Sequence, residues 1–341
     1  MNPVKKVLIF RTGSLGDTTV AIPSFRLIAK AFPAAERRVL TSMSASEHAV
    51  PLSDLLDPTG FIHGYMIYPF GRLNVKKFIE IRQEIRKWKP DLLIYLAEPR
   101  GPFSTWRDAV FFKSCGIRKL IGVPYTKSLR ENQWLPQARR FEHESERLMR
   151  CLNEIGNISL NDPETWDLKL TGDELRRASR CLEDWKAKDR FIVCNVSAKV
   201  KAKDWGEKNW QDFFKRLNQI DSSLGVVMIG AQAGSPASEK VISVWEGPKL
   251  NLCGKLYLRE SAAVMKRALF YLGHDSGPMH LAAAVGIPCV AIFVECKKPN
   301  VWFPYGGLHQ VIYHTRNGKS PTPVNVDEVI SAVQKMIRKN D

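Results

Sequence analysis

Short runs rich in Val, Ile, Leu and Phe alternate with amphipathic runs along this chain, and the alternation breaks off once and restarts. "KVLIF", "RRVLTSM" and "DLLIYLA" have strand composition, while "TTVAIPSFRLIAKAF", read through Pro23, and "VKKFIEIRQEIRKW" repeat apolar residues at helical spacing. After "SERLMRCLNEIG" comes "NISLNDPETWDLKLTGDE", a stretch with little periodicity that reads as an inter-domain segment. The pattern resumes through "RFIVCNVS", "EKNWQDFFKRLNQI", "LGVVMIG", "ASEKVISVWE", "NLCG", "LRESAAVMKRA", "LFYLGHD", "PMHLAAAVG" and "CVAIFV". It closes on "VNVDEVISAVQKMIRK", which reads as a capped amphipathic helix. Strands joined through helices build parallel sheets covered on both faces. The expectation is therefore an α/β chain of two Rossmann-like, doubly wound domains facing each other across a cleft. We place them at residues 1–160 and 189–341, with 161–188 as linker and the last helix able to pack back on the N-terminal domain. The length of 341 residues agrees, because single cores stop growing at about 250–300 residues.

Several classes drop out on composition. The longest apolar run, Leu281 to Val294, is interrupted by Gly286 and Pro288 and is too short to span a bilayer. The start, "MNPVKKVLIFRTG", has neither the apolar core nor the cleavage site of a signal peptide, so an unsecreted, cytoplasmic protein is expected. Seven scattered cysteines without a CxxC spacing fit a reducing compartment and offer no disulfide or zinc framework. The net charge of +16 is shared evenly between the two halves, with no basic tail or arm. That excess favours anionic partners, with nucleic acid, an anionic membrane surface and anionic substrates all open to composition, although no nucleic-acid partner is expected.

Two loops at predicted strand ends carry chemistry. In "FRTGSLGDTT", Gly13 and Gly16 permit a tight backbone, Ser14, Thr18 and Thr19 supply hydroxyls, and no GK[ST] follows, which excludes a Walker P-loop. Asp17 is either a first-turn acid favoured by the helix dipole or a general base within reach of a substrate hydroxyl. In "GHDSGPMHLAAAVGIP", Pro278 suits the first turn of a helix. The backbone N–H groups of Ser276, Gly277 and Met279 would then form an anion site suited to phosphate. Asp275 would face neutral sugar hydroxyls there, and His280 either donates to an anionic oxygen or is a structural histidine. Between these loops, "NVSAKVKAKDWGEKNW" offers Ser197 and four lysines, Lys199, Lys201, Lys203 and Lys208, of which one or two at most should reach a pyrophosphate.

Taken together, "KVLIFRTGSLGDTTVAIPSFRLIAKAFP", "AKDWGEKNW" and "LGHDSGPMHLAAAVGIPCVAIF" resemble glycosyltransferase family 9, the lipopolysaccharide ADP-heptose heptosyltransferases, in order along almost the whole chain. The resemblance implies a GT-B fold and metal-independent, inverting transfer of a sugar from a nucleotide diphosphate, with no cofactor. It matches Asp17 to the catalytic base and Lys203 to the diphosphate-contacting lysine. Asp275, Ser276, Gly277 and His280 match the donor loop, with Pro278, Met279 and Ser197 kept as donor-binding candidates from the residues themselves, while Gly13, Ser14 and Gly16 would shape the loop presenting the base. It also implies an ADP-heptose donor, an anionic glycolipid acceptor and a peripheral place at the inner membrane. Arg72, Lys76, Lys77, Arg100 and Arg107 are candidate acceptor contacts, although charges on solvated helix faces are the commoner explanation of such residues. Three alternatives stay open: a GT-B enzyme using another nucleotide sugar or acceptor, a non-catalytic sugar-nucleotide-binding protein, and a dehydrogenase, the last disfavoured because GxGxxG is missing.

Overall fold

A computed structural model describes residues 3–42, 52–69, 75–98, 101–198, 200–315 and 323–340. The chain divides into two compact units, Met1–Leu168 and Lys169–Asp341. In the first, β1 (Lys6–Phe10), β2 (Glu36–Ser42), β3 (Gly64–Tyr68), β4 (Leu92–Tyr95) and β5 (Lys119–Ile121) form a parallel sheet of order β3-β2-β1-β4-β5. A small antiparallel pair, β6 (Trp134–Leu135) and β7 (Arg140–Phe141), stands apart from it. In the second unit, β8 (Phe191–Asn195), β9 (Gly225–Met228), β10 (Lys249–Asn251), β11 (Tyr271–His274), β12 (Cys289–Cys296) and β13 (Gln310–Thr315) pair in parallel, ordered β10-β9-β8-β11-β12-β13. Both are doubly wound Rossmann-like sheets.

Strand order reverses between β1 and β4 in the first sheet and between β8 and β11 in the second. At such a point the loops leaving neighbouring strands diverge, opening a crevice at the carboxyl edge where ligands bind. The central strands are apolar on both faces, as parallel strands under two helix layers must be. Phe10 packs edge-on against Tyr68, Tyr95 and Phe112, with ring centroids 5.1–5.2 Å apart. In the second unit Trp210 meets Trp205 at 4.9 Å and Phe213 at 6.2 Å. Each fully buried side chain of this size contributes about 1.5–3 kcal/mol relative to exposure.

Two local readings change, and a third is met. The run through Pro23 is two helices, Leu15–Val20 and Ile22–Ala31, with Pro23 in the first turn of the second. There its absent N–H leaves no hydrogen bond unmade, so the proline starts a helix instead of interrupting one. The expected linker is divided: the first unit runs to Leu168, and Gly172–Leu182 is a helix of the second. Thr171 and Glu174 cap it reciprocally, and Arg259 binds Glu174 at 2.6 Å. The final helix, Val326–Asn340, starts at a reciprocal Asn325–Glu328 cap and buries Val329, Val333 and Met336 in the second unit's core. Among the described residues no helix is long and apolar enough to cross a membrane.

Candidate active site

At the carboxyl edge of the first sheet, β1 runs directly into Arg11, which is buried. Its guanidinium donates to the Leu96 carbonyl, beyond β4, and to the Asp17 carbonyl, so it ties together the two loops that flank the point of reversal. Gly13 follows at φ +135°, a backbone that L side chains rarely adopt, and a Cβ there would come within 2.7 Å of the Asp17 Cβ. The glycine thus lets the Asp17 carboxylate lie against the backbone, where Oδ2 accepts the Ser14 N–H at 2.5 Å. Thr18 and Thr19 do not present their hydroxyls as expected: both donate to carbonyls one turn back, those of Ser14 and Leu15. Gly16 is buried within the first turn.

Around this loop stands a charge cluster. Glu144 and Arg147 form a bidentate ion pair, both nearly inaccessible, with contacts of 2.6 and 2.9 Å. Burial alone would lower the Arg147 pKa, but the Glu144 hydrogen bonds and charge outweigh it and raise the value. Burial lowers the Arg11 pKa against the pull of Asp17 and Glu144. Its Nε has no hydrogen-bond partner among the described residues. Glu98, just past β4, is exposed as a residue, yet its carboxyl is desolvated and faces the like charges of Asp17 and Glu144, which raise its pKa. Among the described residues, three carboxylates and two guanidiniums meet in this cluster.

At the corresponding edge of the second sheet, Asp275 follows β11 and the helix Gly277–Ala284 begins two residues later. Asp275 Oδ2 is 2.5 Å from the Lys203 ammonium, so the acid expected to face neutral hydroxyls holds the lysine in this structure. Of the four lysines in that stretch, Lys201 and Lys208 are exposed, Lys203 is partly buried, and Lys199 lies outside the described residues. Ser276 is the N-cap, its hydroxyl turned to the His274 carbonyl at 3.2 Å. The Met279 N–H is already engaged with the Ser276 carbonyl at 3.1 Å, which removes it from the expected anion site and leaves Ser276 and Gly277. Pro278 takes the first turn, as its geometry demands. His280 is buried with its ring edge-on to Trp302 at 6.2 Å. Ser197 lies so close to Gly234 that a Cβ on that glycine would fall 2.4 Å from its Oγ.

The profile of glycosyltransferase family 9 (heptosyltransferase) matches residues 81–329. The chain belongs to glycosyltransferase family 9. This family 9 glycosyltransferase is 22% identical over 315 residues to the lipopolysaccharide core heptosyltransferase OpsX of Haemophilus influenzae, a match covering 90% of this chain and 84% of the relative. Among solved structures it is similar to a family 9 glycosyltransferase from Veillonella parvula, at TM-score 0.74, 17% identity and 98% coverage of both chains. The ADP-heptose lipopolysaccharide heptosyltransferase II of Escherichia coli gives TM-score 0.68 and 16% identity, covering 98% of this chain and 99% of that one. The fold is thereby GT-B.

The family 9 enzyme also has residues near the two edges that sequence reading did not assign. His274, fully buried, accepts the Trp205 N–H on Nε2 at 3.0 Å. The ring proton therefore sits on Nδ1, which faces the Ser197 backbone without closing a full hydrogen bond. Burial keeps the imidazole neutral, its pKa pushed down to about 4. Through this bond the strand that carries Asp275 grips the turn that carries Lys203, two residues before Trp205. Arg11, Glu98 and the Glu144–Arg147 pair were likewise unassigned, although an arginine directly behind the apolar run "KVLIF" is a readable signal. Of the suggested acceptor contacts, Lys76 and Lys77 are exposed on the helix Val75–Trp88, and Arg107 is paired with the buried Asp108 at 2.6 Å. Arg72 and Arg100 lie outside the described residues.

Proposed function

We propose that the chain transfers a heptose from ADP-heptose to a sugar of the lipopolysaccharide core, with inversion and without a metal, as a cytoplasmic enzyme peripheral to the inner membrane. Inversion requires an acceptor hydroxyl to attack one face of the anomeric carbon while the nucleoside diphosphate leaves from the other. Asp17 takes the hydroxyl proton: Oδ2 is anchored by the Ser14 N–H, and Oδ1 is the oxygen offered to substrate. As the new C–O bond forms and the bond to the diphosphate breaks, negative charge grows on the leaving phosphate. The Lys203 ammonium and the N–H groups of Ser276 and Gly277 at a helix start stabilise it. His280 and Ser197 complete the donor pocket in this reading.

The observation that carries the proposal is the Lys203–Asp275 pair, held at the point of strand reversal beside the start of the helix Gly277–Ala284. Asp275 pre-aligns the cation without neutralising the backbone dipole. The named donor and acceptor of the similar heptosyltransferases support the choice of ADP-heptose and lipopolysaccharide core. An anionic, lipid-linked acceptor also suits the basic excess of the chain.

A different nucleotide sugar is the alternative donor: Glu239, on the helix that follows β9, is engaged by Asn251 at 2.7 Å. Thermal stabilisation by ADP-, GDP-, UDP- and dTDP-sugars, followed by mass spectrometry of a truncated core acceptor, separates the two. Stabilisation by ADP-heptose and a one-heptose mass gain are expected. Stabilisation by a different nucleotide sugar alone, with no heptosyl product, would replace the donor assignment.

A further inference from the structure

The helix Pro102–Ser114 exposes Phe103, Trp106 and Val110, at 81%, 58% and 64% of their accessible surface. These positions follow i, i+3 and i+7, a single stripe along one helix face. No other helix among the described residues exposes three large apolar side chains. Trp106 rests against the half-exposed Tyr125, with ring centroids 5.1 Å apart. The adjoining helix Val75–Trp88 adds Val75 and Ile79, 67% and 50% exposed. The two helices lie side by side, joined by Phe78 against Phe111 at 5.9 Å and by Arg82 and Arg86, which both donate to the Ser114 carbonyl at 3.2 Å.

The charge of these two helices is predominantly basic. The helix Val75–Trp88 carries Lys76, Lys77, Arg82, Arg86 and Lys87 against Glu80 and Glu84. The helix Pro102–Ser114 adds exposed Arg107 and Lys113, and its one acid, Asp108, is buried beneath Arg107. Exposed aromatic and aliphatic side chains rimmed by lysine and arginine mark an interaction surface, and the basic rim selects a negatively charged partner. Trp and Phe favour the boundary between headgroups and acyl chains, where a ring is buried without desolvating a charge.

We propose that this face docks on an anionic lipid bilayer, Phe103, Trp106 and Val110 entering the headgroup boundary while the flanking bases meet lipid phosphates. The helix leaves the loop beyond β4, so Phe103 stands at the carboxyl edge of the sheet, the edge that carries Asp17. Docking there would bring a lipid-linked substrate to the base rather than require its extraction from the membrane. The proposal shares the membrane with the functional reading above, but its test needs neither donor nor acceptor, so either can fail alone.

The test is flotation of the full chain with vesicles of phosphatidylethanolamine and phosphatidylglycerol, against pure phosphatidylcholine vesicles, at low and high salt. The wild type should float with the anionic vesicles at low salt and less at high salt. F103S/W106S/V110S should lower the partition coefficient at least about tenfold with unchanged circular dichroism. W106S alone, expected to lose about threefold or more, serves if the triple variant unfolds. Wild-type protein left at the bottom of the gradient overturns the proposal. So does a folded triple variant that floats like the wild type, or a face that proves to hold a dimer in analytical ultracentrifugation while vesicle binding is absent.

Discussion

The two carboxyl edges are built on one strand order and carry different chemistry. In the first unit Arg11 and Glu98 follow the strands at the point of reversal, backed by the buried Glu144–Arg147 pair. In the second unit the corresponding edge holds a neutral histidine and a lysine clamped by one aspartate. Topology supplies a crevice with two divergent loops, and it is indifferent to what the loops present. The difference lies in how each edge fixes its working group. The first edge uses a buried ion pair, which is rigid only while both members stay. The second edge uses a neutral ring and one partly exposed ion pair, for whose lysine a phosphate can compete.

The sharpest way to break this contrast is to neutralise the first edge. Asp17→Asn should lower kcat about 10²–10⁴-fold with donor affinity retained, read by turnover and by isothermal titration with donor. Wild-type turnover in that variant would move the base elsewhere. Arg147→Leu should cost about 3–5 kcal/mol of unfolding free energy in urea, because the Glu144 carboxylate is left buried without its partner. A cost below about 1 kcal/mol, the range of exposed ion pairs, would mean the cluster is not a rigid support.

At the second edge the expected effects are smaller. Lys203→Ala should raise the donor dissociation constant about 10- to 100-fold, the value of one charged hydrogen bond. An unchanged constant would detach Lys203 from the diphosphate. The smallest effect sharpens the comparison. With a folded pKa of about 4 against an ordinary 6.5, His274 stabilises the fold fully above pH 6.5, and that stability is lost as pH falls toward 4. Melting temperatures measured from pH 4 to 7 should therefore fall on acidification, and His274→Phe, whatever its cost at neutral pH, should flatten that slope. Parallel slopes in the two proteins would assign the acid lability to other groups.

Legibility in the sequence followed burial. The strands read from composition include β1, β4, β8, β9, β11 and β12, whose apolar runs are continuous because helices cover both faces. Unread were β3, β5 and β13, and the short pair β6 and β7, all at sheet edges. A half-covered edge strand needs no continuous apolar run, and β5 is only three residues long, so its pattern is too short to register. The helix Pro102–Ser114 was missed for a related reason: its apolar residues surround it, with Phe112 inside and Phe103, Trp106 and Val110 outside, which erases the amphipathic period.

Local sequence by itself determined the alternation, the glycine at position 13, the proline-led helix starts and the residue types at both loops, since each follows from backbone sterics or from burial on a strand. Tertiary structure alone decided the pairings: Asp275 with Lys203 across 72 positions, His274 with Trp205 across 69, and Arg11 with Leu96 across 85. Those contacts join loops from strands adjacent in the sheet but distant in the chain. Charge and hydrogen bonding act over a few ångströms of space, and only the strand order brings those residues that close.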